Sequence, residues 1–500
     1  MHVNRRSFFS RSGLILAGVA SAPAFVRASS EVAFRKGDRP RHIIHLVADG
    51  MSQGTLSCAE HLSHLTRDRG LEWIRLWSDP AAVTGLMDVR SLNSLVTDSA
   101  ASSSAWASGS RVMNGALNVL PDGRPLTTLY ELLRDAGWKR GLVTTAEITH
   151  ATPAGFAVNE AKRSRAETIA SQLLERRIEV LLGGGSRFFA PSLRSDGRDL
   201  PAEFANAGYK VVHTKADLEA AAPDQPWFGT FRPSHLPFTL DHLADSQLKA
   251  TVPTLAEMTN SALRKLRREE HFILQVEGGR VDHAAHLNDA AGAFHDQIAF
   301  DDALAVCLAF RQEHPDTLLV ITTDHGTGNP GLNGTGKGYC LSSPTFHQIT
   351  KVRHSHEWML RRIYSLPDGY SEDMLEVEPS TAGLVEPAQL AEIIEEATTF
   401  SVGEAQAVQL HRFFAGEGDA LYELANNGEF QLAQLMANHT GIGWTSLVHT
   451  SDFVPVVALG PGAERFRGFL QNVDVFRHYT QLAGVDFRNP SLPLERAGSV

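Results

Sequence analysis

Residues 277–286 of the chain, EGGRVDHAAH, concentrate side chains that could bind a metal ion. Asp282 and His286 stand four positions apart, so a helix through this segment would present both on one face. Zn²⁺ accepts this mixture of carboxylate and imidazole ligands. The spacing therefore favours a metal site, although a surface Asp–His pair on a helix has the same pattern.

Further residues of these chemical types lie far apart in the sequence. Asp324-His325 and Asp49 each follow an apolar run, and His449 precedes the last such run. Side chains at strand ends can turn into one crevice, where ligands gather in layered α/β folds. His439 has a setting like that of His449 and competes with it as a ligand.

These residues can be grouped into three metal sites. Two groups mix carboxylates with imidazoles, which suits zinc; they are Asp282, His286 and His449, and Asp49, Asp324 and His325. Three protein ligands leave one position open at each ion, which is the catalytic pattern. A third group offers oxygen ligands alone, which suits magnesium; it is Asp49, Thr152 and Glu277.

The stretch Thr97-Asp98-Ser99, followed by a run of Ala and Ser, could supply a nucleophile. Asp98 or Ser99 lies where a helix is predicted to begin, close to the N-cap. A serine there meets the positive end of the helix dipole, which favours an alkoxide or a bound phosphate. Taken alone, the stretch is better explained as an ordinary helix cap, so its chemistry depends on metal ligands and an arginine around it.

The elements that must position these residues alternate along the chain. Six short apolar runs look like buried parallel strands; they cover 43–48, 141–145, 179–182, 272–276, 317–323 and 453–459. Helical stretches separate them, for example 102–108, 126–136, 167–176, 255–268 and 290–310. We therefore predict an α/β fold, a layered sandwich with a large, mostly parallel central sheet flanked by helices.

Acidic residues follow four of the six predicted strands, namely Asp49, Glu147, Glu277 and Asp324. In such folds ligands bind outside the carboxyl ends of the strands. We therefore expect these acids at one edge of the sheet.

The chain is predicted to have three parts. Residues 1–28 are predicted to be a twin-arginine signal peptide, because Arg5-Arg6 precede a short apolar run and Ala28 is a plausible residue before cleavage. We expect residues 29–500 to form one catalytic domain, exported by the twin-arginine translocase to the periplasm or the medium. Within it, 326–438 is predicted to be a helical insertion that serves as a lid or an interface.

Composition excludes several classes of function. The 500 residues carry a net charge of −11 with no basic cluster, which argues against a nucleic-acid surface. Cys58, Cys307 and Cys340 lie far apart, which allows at most one disulfide and no cysteine zinc cluster. No stretch after the signal segment is apolar enough to predict a membrane span.

Several of these motifs together resemble the alkaline phosphatase family, over about 43–462. The matching segments are ADGM at 48–51, VTDSAAS at 96–102, NGA at 114–116, HATPA at 150–154, VEGG at 276–279, TDH at 323–325, HT at 449–450 and GP at 460–461. No single segment is specific, but their combination is.

The resemblance implies hydrolysis of small phosphate monoesters through a phosphoserine at Ser99, with two zinc ions and one magnesium ion. It implies that Arg163 binds the phosphate beside Asp98, and it favours His449 over His439 because of its distance from Gly-Pro. It also implies a homodimer.

Two positions near the predicted magnesium site depart from the best-known bacterial members, which resemble each other in having Asp and Lys there. This chain has His150 and His283. The departure leaves open whether the chain retains magnesium tightly.

Two other kinds of protein remain as alternatives. One is a sulfatase or phosphodiesterase of the same superfamily, although no cysteine stands in a C/S-x-P-x-R motif and diesterases usually lack an arginine like Arg163. The other is a non-catalytic metal- or phosphate-binding protein, against which the intact Asp98-Ser99 counts.

Overall fold

The computed structural model describes residues 39–366 and 383–494. The predicted signal peptide, 1–28, lies outside the described residues, as does 367–382 of the predicted insertion.

Ten of the fourteen strands in the described part of the chain form one sheet. They are β1 (His42–Val47), β2 (Val83–Asp88), β3 (Lys139–Glu147), β4 (Val180–Gly184), β5 (Lys210–Val212), β6 (Trp227–Thr230), β7 (Phe272–Glu277), β8 (Thr317–Thr322), β13 (Val454–Leu459) and β14 (Gly468–Gln471). The order across the sheet is β14-β2-β13-β8-β1-β7-β3-β4-β6-β5. The other four strands form two-residue pairs, β9 (Gly326–Thr327) with β12 (His449–Thr450) and β10 (Gly331–Leu332) with β11 (Ile442–Gly443).

The sheet is mostly parallel, which confirms the predicted fold class. One strand was predicted wrongly: the run 453–459 forms β13, which is antiparallel to both β8 and β2. An apolar run has the same composition in either direction, so its sequence does not indicate the orientation. Because β13 is antiparallel to β8, it begins at the edge of the sheet where β8 ends. His449, just before β13, therefore lies at the edge where Asp49 and Asp324 follow β1 and β8.

Nineteen helices surround the sheet in the described ranges. They are α1 (Gln53–Arg67), α2 (Glu72–Leu76), α3 (Ser99–Ser108), α4 (Leu129–Asp135), α5 (Ala151–Gly155), α6 (Ala166–Glu175), α7 (Leu200–Asn206), α8 (Lys215–Ala220), α9 (Thr239–Ala244), α10 (Ser246–Thr251), α11 (Leu255–Leu266), α12 (Arg280–His286), α13 (Ala290–Glu313), α14 (Ser342–His347), α15 (His356–Ile363), α16 (Pro387–Thr398), α17 (Glu404–Phe414), α18 (Gly428–Thr440) and α19 (Asn472–Ala483). The last five before α19 all belong to the segment predicted as an insertion.

Strand β1 shows how the two faces of the sheet are covered, because successive side chains of a strand point to opposite faces. Ile44 and Leu46 belong to the main apolar core, together with residues of α1, α11 and α13. His45 lies on the other face, where its ring packs against Trp106 of α3 and Tyr479 of α19. Helices therefore flank the sheet on both faces, and α3 is held against it at the edge that carries the acids.

Within 39–366 and 383–494, no helix has both the length and the apolar character needed to cross a membrane.

Candidate active site

Ser99 is the first residue of α3, three positions before the predicted start of that helix. Asp98 is the N-cap, and its side chain accepts a hydrogen bond from the Ala101 N–H at 2.9 Å. Ser99 is 1% exposed, and its Oγ lies 3.1 Å from His325 Nε2. The hydroxyl therefore combines the positive end of a helix with a direct contact to a predicted metal ligand.

Arg163 lies beside this serine, although the chain places it in the loop before α6. Its Nη1 donates to Asp98 Oδ2 at 3.2 Å, and Nη2 lies 3.0 Å from His150 Nε2. The same Asp98 oxygen accepts the Gly115 N–H at 2.9 Å. Asp98 thus joins the start of α3 to the arginine, and it holds a planar guanidinium that can bind two oxygens of a phosphate.

The structure brings together the first predicted zinc group. Asp282 and His286 both lie on α12, where His286 Nε2 is 3.3 Å from Asp282 Oδ2 and 3.0 Å from His449 Nε2. The Nδ1 atoms of the two histidines contact backbone carbonyls, of Leu447 at 2.6 Å and of Thr97 at 2.9 Å. These contacts assign the proton to Nδ1, so both Nε2 lone pairs face one another and fit a cation between them.

The second predicted zinc group is also close together. His325 Nε2 lies 3.6 Å from Asp49 Oδ1 and 3.3 Å from Asp324 Oδ2, and all three side chains are fully buried. His325 additionally lies within reach of Asp282 and His449, so the two groups are adjacent.

The third group meets at the end of β7. Thr152 Oγ1 donates to Asp49 Oδ2 at 3.1 Å, and Asp49 and Glu277 lie together with His150. His150 Nδ1 is 4.0 Å from Glu277 Oε1. The imidazole therefore adds a nitrogen to a set that the sequence predicted to offer oxygen alone.

The carboxylates of these groups fit divalent cations. Asp49 Oδ1, Asp324 Oδ2 and both carboxylate oxygens of Glu277 are buried without a hydrogen-bond partner in the described part of the chain. Burial raises the pKa of Glu277 to about 7, and burial together with the nearby charges of Asp324 and Asp282 raises the pKa of Asp49. Buried carboxylates without compensation are costly, and cations would remove that cost.

The backbone at position 50 packs so closely against Asp282 that only glycine fits there. Gly50 has a φ of +67°, and a Cβ there would lie 2.2 Å from Asp282 Oδ1. Its N–H also donates to Asp324 Oδ1 at 3.1 Å. The turn after β1 can therefore bring Asp49 next to both other carboxylates.

A cavity of about 790 Å³ opens at Ser99. Its lining includes Arg163, His286 and His449 on the inside, and Arg187 and Glu429 farther along the wall. Ser99 is thus buried yet faces a space large enough for a phosphate ester with its alcohol.

Two residues that the sequence suggested as candidates lie outside the three metal groups in the structure. Glu147, one of the four acids at strand ends, pairs with Arg187 at 2.8 Å instead of joining a metal group. His439 stacks on Phe400 with ring centroids 4.5 Å apart, within the segment of α16 to α18. His449 is therefore the histidine that the structure places beside Asp282.

Sequence reasoning missed several residues that support the site. Thr327 donates to Asp282 Oδ1 at 2.5 Å, and Arg280 Nη1 lies 2.9 Å from His283 Nδ1. The His235 ring packs at an angle against the ring of His283, with centroids 4.2 Å apart. Thr327 lies two residues after His325 and could have been found from that spacing, whereas nothing in the sequence connects His235 to the site.

Known proteins resemble this chain over most of its length. The alkaline phosphatase family profile matches residues 40–485. Alkaline phosphatase 4 of Bacillus subtilis (strain 168) is 31% identical over 466 residues, which cover 91% of each chain. Alkaline phosphatase 3 of the same bacterium is 29% identical over 477 residues, covering 93% of this chain and 94% of the relative. A crystal structure of Thermus thermophilus alkaline phosphatase superposes with a TM-score of 0.82 at 34% identity, covering 91% of this chain and 94% of that one. The chain therefore belongs to the alkaline phosphatase family.

Proposed function

We propose that this alkaline phosphatase hydrolyses phosphate monoesters to an alcohol and inorganic phosphate through a covalent phosphoserine at Ser99. The observation that carries the proposal is the position of Ser99 Oγ. It lies at the start of α3, 3.1 Å from His325 Nε2, in a cavity that also contains Arg163. A nucleophile, a phosphate-binding arginine and groups for cations thus share one space.

Alkaline phosphatases depend on metal ions, and three groups of residues in this chain could hold them. We assign zinc to two groups, Asp282, His286 and His449, and Asp49, Asp324 and His325. We assign magnesium to the third, Asp49, Thr152 and Glu277, with His150 beside it. Bound ions would supply Lewis acidity, which lowers the pKa of a hydroxyl or water and neutralises phosphate charge.

The chain's own residues divide the reaction between them. Arg163 binds two non-bridging phosphate oxygens through its planar fork, and Asp98 orients it. Ser99 Oγ attacks phosphorus, the bond to the alcohol oxygen breaks, and the alcohol leaves on the side of His286 and His449. Water then attacks the phosphoserine, which releases phosphate and restores Ser99.

A comparison of three substrates tests this function against the alternatives. We expect turnover of p-nitrophenyl phosphate to exceed that of bis(p-nitrophenyl) phosphate and of p-nitrophenyl sulfate. A preference for the diester or the sulfate would favour the other members of the superfamily. Phosphate binding without turnover would favour a non-catalytic binding protein.

Replacing Arg163 with alanine is expected to lower kcat/KM for p-nitrophenyl phosphate by about 100-fold, because two charge-assisted hydrogen bonds to phosphate are lost. Inhibition by inorganic phosphate should weaken in parallel. Arg163→Lys should recover only part of the loss, since an ammonium has no planar fork. Arg165→Ala is the control, because that exposed arginine pairs with Glu160. An unchanged phosphate inhibition constant in Arg163→Ala would contradict the role.

Replacing His150 with aspartate is expected to tighten magnesium binding by about tenfold or more, because Mg²⁺ prefers carboxylate oxygen to imidazole nitrogen. Calorimetric titration of zinc-loaded protein with magnesium measures the change. His150→Asn, which offers oxygen without charge, should give a smaller gain. Equal affinities in all three proteins would show that His150 does not face the ion.

We also propose a homodimer that uses one edge of the sheet. β14 is the last strand at that edge, and Phe469 on it lies opposite Leu86 of β2. Phe453 stacks edge-on against Phe469, with ring centroids 4.9 Å apart. These three apolar side chains are 43–49% exposed, and a second copy would cover them.

A charged substitution in this patch tests the dimer. Light scattering during gel filtration should give a dimer for the unmodified protein and a shift towards monomer for Phe469→Glu. Leu193→Glu, at an exposed leucine elsewhere, should stay dimeric. A dimer that survives Phe469→Glu unchanged would place the interface at another surface.

Export through the twin-arginine pathway to the periplasm or the medium stays a prediction. Export can be measured with residues 1–28 fused to a folded reporter protein. One fusion keeps Arg5-Arg6, and the other has them replaced by Lys-Lys.

A further inference from the structure

The active-site cavity extends well past the groups that handle phosphate. Ser99, Arg163 and the histidines occupy its inner part, and the remaining volume must hold the alcohol of a substrate. Two apolar residues of the lining, Leu287 and Leu447, lie next to His286, on the side where the alcohol is proposed to leave. Leu287 follows His286, and the Leu447 carbonyl bonds the His286 ring at 2.6 Å. This wall therefore faces the departing alcohol.

The inserted segment completes the lining of this cavity. Asn427 is the N-cap of α18 and accepts the Phe430 N–H at 3.1 Å, and Glu429 stands in the first turn of that helix. Both residues line the cavity, and both are partly exposed.

Both arginines that line the cavity pair with a carboxylate. Arg163 pairs with Asp98 at 3.2 Å, and Arg187 pairs with Glu147 at 2.8 Å. Glu429 forms no ion pair with any lysine or arginine in 39–366 or 383–494. Glu429 is therefore a carboxylate in the cavity wall that belongs to none of the three metal groups and pairs with no lysine or arginine of the described residues.

We propose that Glu429 is a specificity residue for the leaving group and favours phosphate monoesters of amino alcohols, whose ammonium group would pair with its carboxylate. The inference rests on the proposed function, since it concerns the alcohol that leaves when Ser99 attacks. The same charge disfavours esters whose alcohol carries a carboxylate or a second phosphate.

Matched substrates test this preference. Three series of alkyl phosphates with increasing chain length would end in an ammonium, a hydroxyl or a carboxylate group. The measured quantity is the ratio of kcat/KM between amino and hydroxy substrates of equal length. Because the ratio is internal to one preparation, incomplete metal loading or folding does not affect it.

We expect the unmodified enzyme to favour the amino series by about fivefold at the chain length that reaches Glu429, and the ratio to approach one in Glu429→Gln. Glu429→Lys should reverse it in favour of the carboxylate series. Glu423→Gln is the control, because Glu423 is an exposed carboxylate of the same segment outside the cavity lining.

Three results would overturn the inference: a ratio near one at every length in the unmodified enzyme, the same ratio in Glu429→Gln, or an equal fall in Glu423→Gln. Hydrolysis of p-nitrophenyl phosphate in the same preparations separates these results from a failure of the proposed function, which would leave no turnover of any monoester.

Discussion

Replacing Ser99 with alanine is expected to lower kcat for p-nitrophenyl phosphate by about 10³-fold or more, because the protein loses its nucleophile and the covalent intermediate with it. The backbone N–H groups at the start of α3, Arg163 and the metal groups all stay, so phosphate should still bind. Steady-state kinetics, with metal content and phosphate affinity measured on the same sample, separate loss of chemistry from loss of structure.

Ser104→Ala is the matched control for this substitution. Ser104 is also buried on α3, and its hydroxyl donates to the Ala116 carbonyl at 3.4 Å. The hydroxyl also accepts the buried Asn118 N–H at 2.9 Å, so its loss should cost about 1–3 kcal/mol of unfolding free energy and leave kcat close to that of the unmodified enzyme. Near-normal turnover by Ser99→Ala would mean that another group, or water, attacks phosphorus.

Removing bound metal ions with a chelator is expected to lower activity by about 10³-fold or more, and zinc together with magnesium should restore it. The loss should come with a lower Tm, because Asp49, Asp324 and Glu277 then share a buried site without a counter-charge. Differential scanning calorimetry and elemental analysis of the same sample measure both effects. Full activity in protein shown to be free of metal would contradict the assignment of the three groups.

The difference in Tm between metal-loaded and metal-free protein should also depend on pH. In the metal-free protein the pKa of Glu277 is raised to about 7, mainly by burial, and the pKa of Asp49 is also raised, by burial and by the nearby carboxylates. A carboxyl whose folded pKa lies above its unfolded pKa contributes stability at low pH and loses it as pH rises through the folded value. Metal-free protein should therefore lose Tm between about pH 5 and pH 8, whereas metal-loaded protein should lose much less. A Tm difference between metal-loaded and metal-free protein that becomes smaller as pH rises would contradict this account.

The inner part of the site was predictable because its residues follow local rules. Asp49 and Asp324 stand directly after apolar strands, and parallel strands carry ligands at their carboxyl ends. Asp282 and His286 share a helix face through their spacing alone. For His449, the residues left His439 open as an alternative, and the family resemblance chose between them. Arg163 came from the resemblance alone.

The outer part was not predictable because it depends on how distant segments pack. Nothing in the run 453–459 indicates that β13 is antiparallel, yet that direction carries His449 to the edge of the sheet where Asp282 lies. Glu147 ends β3 much as Asp49 comes just after β1, but Arg187 from a later turn pairs with it. Glu429 lies 330 positions from Ser99 in the sequence and shares its cavity only through the fold of the segment that was predicted to be an insertion.

Chemical trapping of the intermediate tests the central claim most directly. The metal-loaded enzyme would be mixed with excess p-nitrophenyl phosphate, quenched within milliseconds in acid, digested and analysed by tandem mass spectrometry. We predict phosphate on the peptide that contains Ser99, at that residue, and none in Ser99→Ala. Phosphate on a different residue, or an active enzyme that never carries phosphate on Ser99 at any quench time, would contradict the phosphoserine mechanism.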